Sequence, residues 1–111
     1  MVCLGQGIYG KARFVDGQYP AYDRPYLVVS VSPERIGILN VSSTAGKDHK
    51  LLFPTNRAIL NYNPPFRKES FVKLDSLVYI STSDICNFRI LHNGECLEKC
   101  ELYDIIRAVG A

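Results

Sequence analysis

The chain has 111 residues, 47% of them hydrophobic, and its 13 Lys and Arg against 11 Asp and Glu leave a formal charge of +2. A chain of this size builds one core and leaves too little for a second, so 1–111 reads as a single domain. The near-neutral balance excludes a protein held to nucleic acid by overall charge; such binding must rest on local positive charge.

No apolar run approaches the roughly 18 residues of a membrane span, and the start of the chain lacks the basic and apolar regions of a signal peptide. A cytoplasmic protein with no membrane association is expected. Without an export signal, Cys3, Cys86, Cys96 and Cys100 read as free thiols. Cys96 and Cys100 would share a helix face, yet no second closely spaced ligand pair accompanies them. No metal is therefore expected, and Cys96 reads as a small buried apolar residue.

Along the chain, IYGKARFV over 8–15 intersperses β-branched and aromatic residues with polar ones before the turn-forming DGQYP, which predicts a strand and a loop. PYLVVSVS over 25–32 is Val-rich and too short for a helix, and RIGILNVSS over 35–43 follows directly, which predicts a central hairpin. TAGKDHK is a polar surface loop, and KLLF over 50–53 is expected to be a short strand ended by Pro54. Pro64 and Pro65 make 56–68 a connecting loop with at most one helical turn at 57–60.

SFVKLDSLVYIS predicts two strands, or one bent about Asp75 and Ser76, and NFRILHNG a last short strand. Beyond it Leu97, Leu102, Ile105, Ile106 and Val109 recur at helical spacing, which predicts a helix over 95–108 packed on the sheet. So many short strands with one terminal helix predict a mainly β fold, a small SH3-like or partly open β-barrel with a C-terminal α-helix, since closure removes exposed edges.

The glycines of GQGIYG have no strand before them and make no phosphate loop. His49 and His92 stand near no carboxylate or nucleophile in a hydrolase spacing, which argues against a Ser-His-Asp enzyme. What remains is Asp23-Arg24-Pro25 before one strand of the hairpin and Ser42-Ser43-Thr44 after the other. Pairing of those strands brings Arg24 to Ser43 or Thr44 at one end of the sheet. A guanidinium beside hydroxyls receives a phosphate, because its fork of donors matches phosphate oxygens and its charge counts for more as negative charge grows in a transition state. The alternative is that Arg24 pairs with Asp23 or another carboxylate and the hydroxyls merely end a strand. Lys47, His49 and Lys50 supply positive charge for an RNA backbone, or form a solvated turn. Tyr22 is a candidate to stack a base, whereas Tyr26 on a Val-rich strand reads as core.

In order, Gly10 with ARFVDG, Arg24-Pro25 with YLVVSVS, ILNV with Ser42-Ser43-Thr44, ESFVKLDSLVYIS and RILHNGECLEKCELYDIIRAV resemble the MazF/PemK family of toxin endoribonucleases over nearly the whole chain. The resemblance implies an mRNA interferase of a bacterial toxin-antitoxin system, a hydrolase that cleaves single-stranded RNA without metal or cofactor. In such cleavage the ribose 2′-hydroxyl attacks phosphorus and leaves a cyclic phosphate. It implies that Arg24 stabilises the phosphorane, that Ser43 or Thr44 holds the phosphate, that the protein is a homodimer, and that a cognate antitoxin is its partner. Two alternatives from other classes are a non-catalytic SH3-like module that binds nucleic acid or peptide, and a small zinc-binding regulatory domain using the cysteines.

Overall fold

The computed structural model describes residues 2–46 and 48–110. Its strands are β1 (Gly7–Gly10), β2 (Arg24–Val31), β3 (Arg35–Ser43), β4 (Asn56–Ile59), β5 (Ser70–Lys73), β6 (Val78–Ser81) and β7 (Arg89–Ile90), followed by the helix α1 (Lys99–Val109). They form one antiparallel seven-stranded sheet in the order β4-β5-β3-β2-β1-β7, with β6 also on β3. The long β3 makes this possible: Arg35 to Ile38 pair with β6, and Val41 to Ser43 pair with β5 on the same side. β4 and β7 stand at the two ends of that order without pairing to each other, so the described sheet stays open.

The β2–β3 hairpin is apolar on both faces because both are covered. Leu27, Val29, Leu39 and Val41 join Leu97, Leu102 and Ile105 beneath α1, and Tyr26, Val28, Ile36 and Ile38 join Val2, Ile8 and Ala12 on the other side. Each large apolar side chain buried this way contributes about 1.5–3 kcal/mol relative to exposure. A bulge between Val28 and Ser30 adds one residue to β2 within this pairing.

Several expectations are corrected. The first strand ends at Gly10 rather than continuing to Val15, since the chain leaves the ladder and Ala12 N–H donates to the Tyr26 hydroxyl at 3.1 Å. Gly10 is required there: a Cβ would lie 2.7 Å from the Phe88 ring. Residues 50–52 of the strand expected at 50–53 fall in a 3-10 helix, Asp48–Leu52, and Phe53 follows it in a bend, while the stretch read as a loop contains β4. β3 holds one edge of β5; the other edge accepts one strand, and β4 takes it with Arg57 opposite Val72 and Ile59 opposite Ser70. A 3-10 helix, Thr82–Asn87, leads into β7.

The helix starts at Lys99, not residue 95. Glu98 is its N-cap and accepts from the backbone N–H groups of Cys100 at 2.6 Å and Glu101 at 3.1 Å, which hold its carboxyl below the usual carboxylate range. Residues before it stay extended because Cys96 bridges Gln6 and Leu97 N–H donates to the Gly5 carbonyl at 2.8 Å. Cys96 is exposed rather than buried for the same reason. Buried Glu101 accepts from the backbone N–H groups of Leu60 at 2.6 Å and Asn61 at 2.8 Å, which ties α1 to the turn after β4. Among the described residues no helix is long and apolar enough to cross a membrane.

Candidate nucleic-acid interface

Antiparallel pairing collects chemistry at one end of the sheet. Arg24 opposes Gly10, Arg89 opposes Tyr9, and Ser43 opposes Ser70, so the start of β2, the end of β3 and the starts of β5 and β7 lie together. Arg24 is half-buried in an aromatic setting. Its guanidinium carbon is 4.9 Å from the Tyr22 ring centroid and 5.7 Å from that of Phe14, and Nη2 donates to the Tyr22 hydroxyl at 3.4 Å. Its Nε is enclosed without a hydrogen-bond partner. Among the described residues it forms no ion pair; the adjacent Asp23 is exposed and does not reach it.

The hydroxyls separate by face. Tyr26 pairs with Asn40 and Leu27 with Leu39, and alternation along the two strands puts Arg24 on the face of Tyr26 and Ser42 on the face of Asn40. Paired residues share a face, so Ser42, itself buried, is the hydroxyl on the side of Arg24. Ser43 lies on the side of Pro25, where its Oγ accepts from Ala45 N–H at 3.3 Å. Thr44 follows the strand and donates from both N–H (2.9 Å) and Oγ1 (3.3 Å) to the Glu69 carbonyl.

On the face of Pro25 and Ser43 the structure has an open groove of about 740 Å³. Its lining takes Ser70, Ser43, Pro25, Tyr9 and Arg89 from the adjacent strands β5, β3, β2, β1 and β7, and Arg67 and Lys68 from the segment that enters β5. Three cations thus line it and no carboxylate does. The Arg89 guanidinium carbon stands 5.1 Å from the Tyr9 ring centroid. His92 and Asn93 complete the rim in left-handed backbone, at φ 52° and 56°, a conformation unusual for residues other than glycine. His92 has a carboxylate beside it: Nδ1 is 2.7 Å from Glu95 Oε1.

Of the other expected contacts, Tyr22 is exposed against Arg24, and Tyr26 is buried in the core with its hydroxyl on Ala12. His49 and Lys50 sit in the 3-10 helix before β4 and do not line the groove. Lys47 lies outside the described residues. Phe14, Arg67, Lys68 and Arg89 were not expected, and Ser42 stood in the expected hydroxyl cluster without being set apart from Ser43 and Thr44. The parity of the β2–β3 pairing would have separated Ser42 from Ser43, and Arg67-Lys68 directly follows Pro64-Pro65-Phe66, but nothing local announces that Arg89 will face them.

Fold and site together define a mainly β chain with a rim arginine held by aromatic rings and a cationic groove on the opposite face. A comparison with protein-family models finds no family that matches the chain, and a comparison with curated proteins finds no match.

Proposed function

We propose that this chain is an endoribonuclease of the MazF/PemK toxin type, which it resembles in sequence order, with its open sheet and helix read as an SH3-like, partly open barrel. In this reading it acts in the cytoplasm as a homodimer, cleaves single-stranded RNA without metal, and is inhibited by an acidic or amphipathic segment of a cognate antitoxin. The observation that carries the proposal is Arg24. A partly buried guanidinium is ordinarily satisfied by a carboxylate, whereas this one has aromatic rings, an enclosed Nε and no described ion-pair partner. That leaves its charge for an incoming anion.

The chemistry follows from charge. The ribose 2′-oxygen attacks the adjacent phosphorus as its proton passes to solvent, the bond from phosphorus to the 5′-oxygen breaks, and the departing oxygen takes a proton. A 2′,3′-cyclic phosphate remains. Arg24 stabilises the phosphorane, where negative charge peaks; it stays protonated throughout and is not the base. A hydroxyl from Ser42, Ser43 or Thr44 holds a phosphate oxygen, and Ser42 shares the face of Arg24.

Cleavage of a fluorescent single-stranded RNA by purified protein tests this. Arg24→Ala is expected to lower the rate by about a hundredfold to a thousandfold, the range for removal of one transition-state donor. Arg24→Lys restores little, because a point charge lacks the fork. Ser42→Ala, Ser43→Ala and Thr44→Ala, made singly, identify the hydroxyl by which one loses activity. Cleavage that survives Arg24→Ala at an unchanged melting temperature overturns the assignment and leaves the binding-module alternative.

A further inference from the structure

We infer that the groove lined by Tyr9, Arg67, Lys68 and Arg89 is a second binding site, for the sugar-phosphate backbone of a single-stranded nucleic acid. It lies on the face opposite Arg24 and needs no chemistry from it. The choice of nucleic acid over other polyanions rests on the ribonuclease reading; the site itself rests on its own geometry.

A chain with a net charge of +2 has nearly as many carboxylates as cations to distribute. Here three cations from two distant segments converge on one groove that no carboxylate lines, and among the described residues none of the three forms an ion pair. Such a cluster carries a repulsive cost that an anion relieves. Charges contributed from two separate segments, before β5 and at the start of β7, suit a ligand with anionic groups along its length. In the lining, Ser43 Oγ accepts from Ala45 N–H, which leaves its O–H to donate to a phosphate oxygen. Tyr9 and the Arg89 guanidinium, 5.1 Å from its ring centroid, offer aromatic and guanidinium groups on which an unpaired base can rest, and a duplex would hide that base. The left-handed run through His92 and Asn93 adds an independent sign, since backbone of this kind concentrates at binding sites.

The test is fluorescence anisotropy with a labelled 2′-deoxy single strand, which cannot be cleaved by 2′-hydroxyl attack, titrated between 50 and 200 mM salt. Three neutralised phosphates give a slope of log K against log salt of about −2 for single strands. Arg67→Gln, Lys68→Gln and Arg89→Gln combined should flatten that slope by about 2 and weaken binding at 50 mM salt by roughly tenfold or more. Arg35→Gln, Lys99→Gln and Arg107→Gln combined remove the same net charge from exposed positions elsewhere and should change the slope little. All six side chains are exposed, and equal melting temperatures confirm folded variants.

Equal slopes for wild type and the groove variant overturn the inference, as does displacement of the strand by a phosphopeptide at lower concentration than by unlabelled strand. Arg24→Ala that abolishes cleavage but leaves the slope intact supports a separate groove. Wild type that binds the strand through these residues yet cleaves no RNA refutes the ribonuclease reading while leaving the groove standing.

Discussion

Tyr26 combines three constraints in one side chain: it packs among Ile8, Val28 and Ile38, its ring meets Phe88 edge-on at 6.1 Å, and its hydroxyl bonds Ala12. Burial is the main reason its pKa is raised above 10.0, and the bond from Ala12 N–H only partly offsets it. The neutral form is therefore favoured in the folded state more than in the unfolded one. The stability this brings is fully present below the unfolded pKa of about 10 and is lost as pH rises through the higher folded value. Urea unfolding at pH 8 and pH 11 should show wild type losing more stability than Tyr26→Phe, although the variant starts lower by about 0.5–1.5 kcal/mol for the lost hydrogen bond. Equal losses would mean the hydroxyl does not titrate against burial. Its core role was legible, since Tyr on a Val-rich strand packs. Arg24 was legible as a residue and not as an environment, because Phe14 joins it only through the fold of the loop that precedes it.

Elements were legible wherever their own periodicity was decisive, as in the β2–β3 hairpin, and illegible where a neighbour chose between them. Residues 50–53 and 56–59 both read as extended; β3 already holds one edge of β5, the other edge accepts one strand, and the register of Ile59 with Ser70 selects the second stretch. The helix shows the same dependence at its start. Apolar spacing extends back to Leu97, but the pairing of Cys96 with Gln6 holds that stretch extended until Glu98 caps the first turn. What fixes α1 laterally is Glu101, whose carboxylate takes two backbone N–H groups from the turn after β4. Glu101→Ala is expected to cost about 1.5–3 kcal/mol, as hydrogen bonds to a charged group do. Hydrogen exchange at Leu60 and Asn61 should accelerate with it. Unchanged exchange there, with a lowered global melting temperature, would mean that the residue acts through helix packing alone.

At the scale of the molecule, an open sheet leaves edges: among the described strands β4, β6 and β7 each pair with a single neighbour. β7 has only two residues, too short to template another strand. β4 has four, and apolar side chains flank it: Leu52 (83% exposed) and Phe53 (54%) just before it, Leu60 (80%) just after. Three exposed large apolar residues around one unpaired edge are costly in water. A second copy relieves that cost with no new sequence, because an edge strand paired antiparallel to itself across a two-fold axis presents the same surface on both sides. The proposed homodimer is therefore expected to form through β4, leaving the rim of Arg24 and the cationic groove to the nucleic acid. Light scattering at micromolar concentration should give twice the 12.5 kDa chain mass, and Leu52→Ser with Leu60→Ser should return it to the single-chain value without unfolding, since both side chains are exposed in the isolated chain. A wild-type mass that stays at one chain as concentration rises removes the dimer, and a dimer that survives both substitutions moves its interface away from β4.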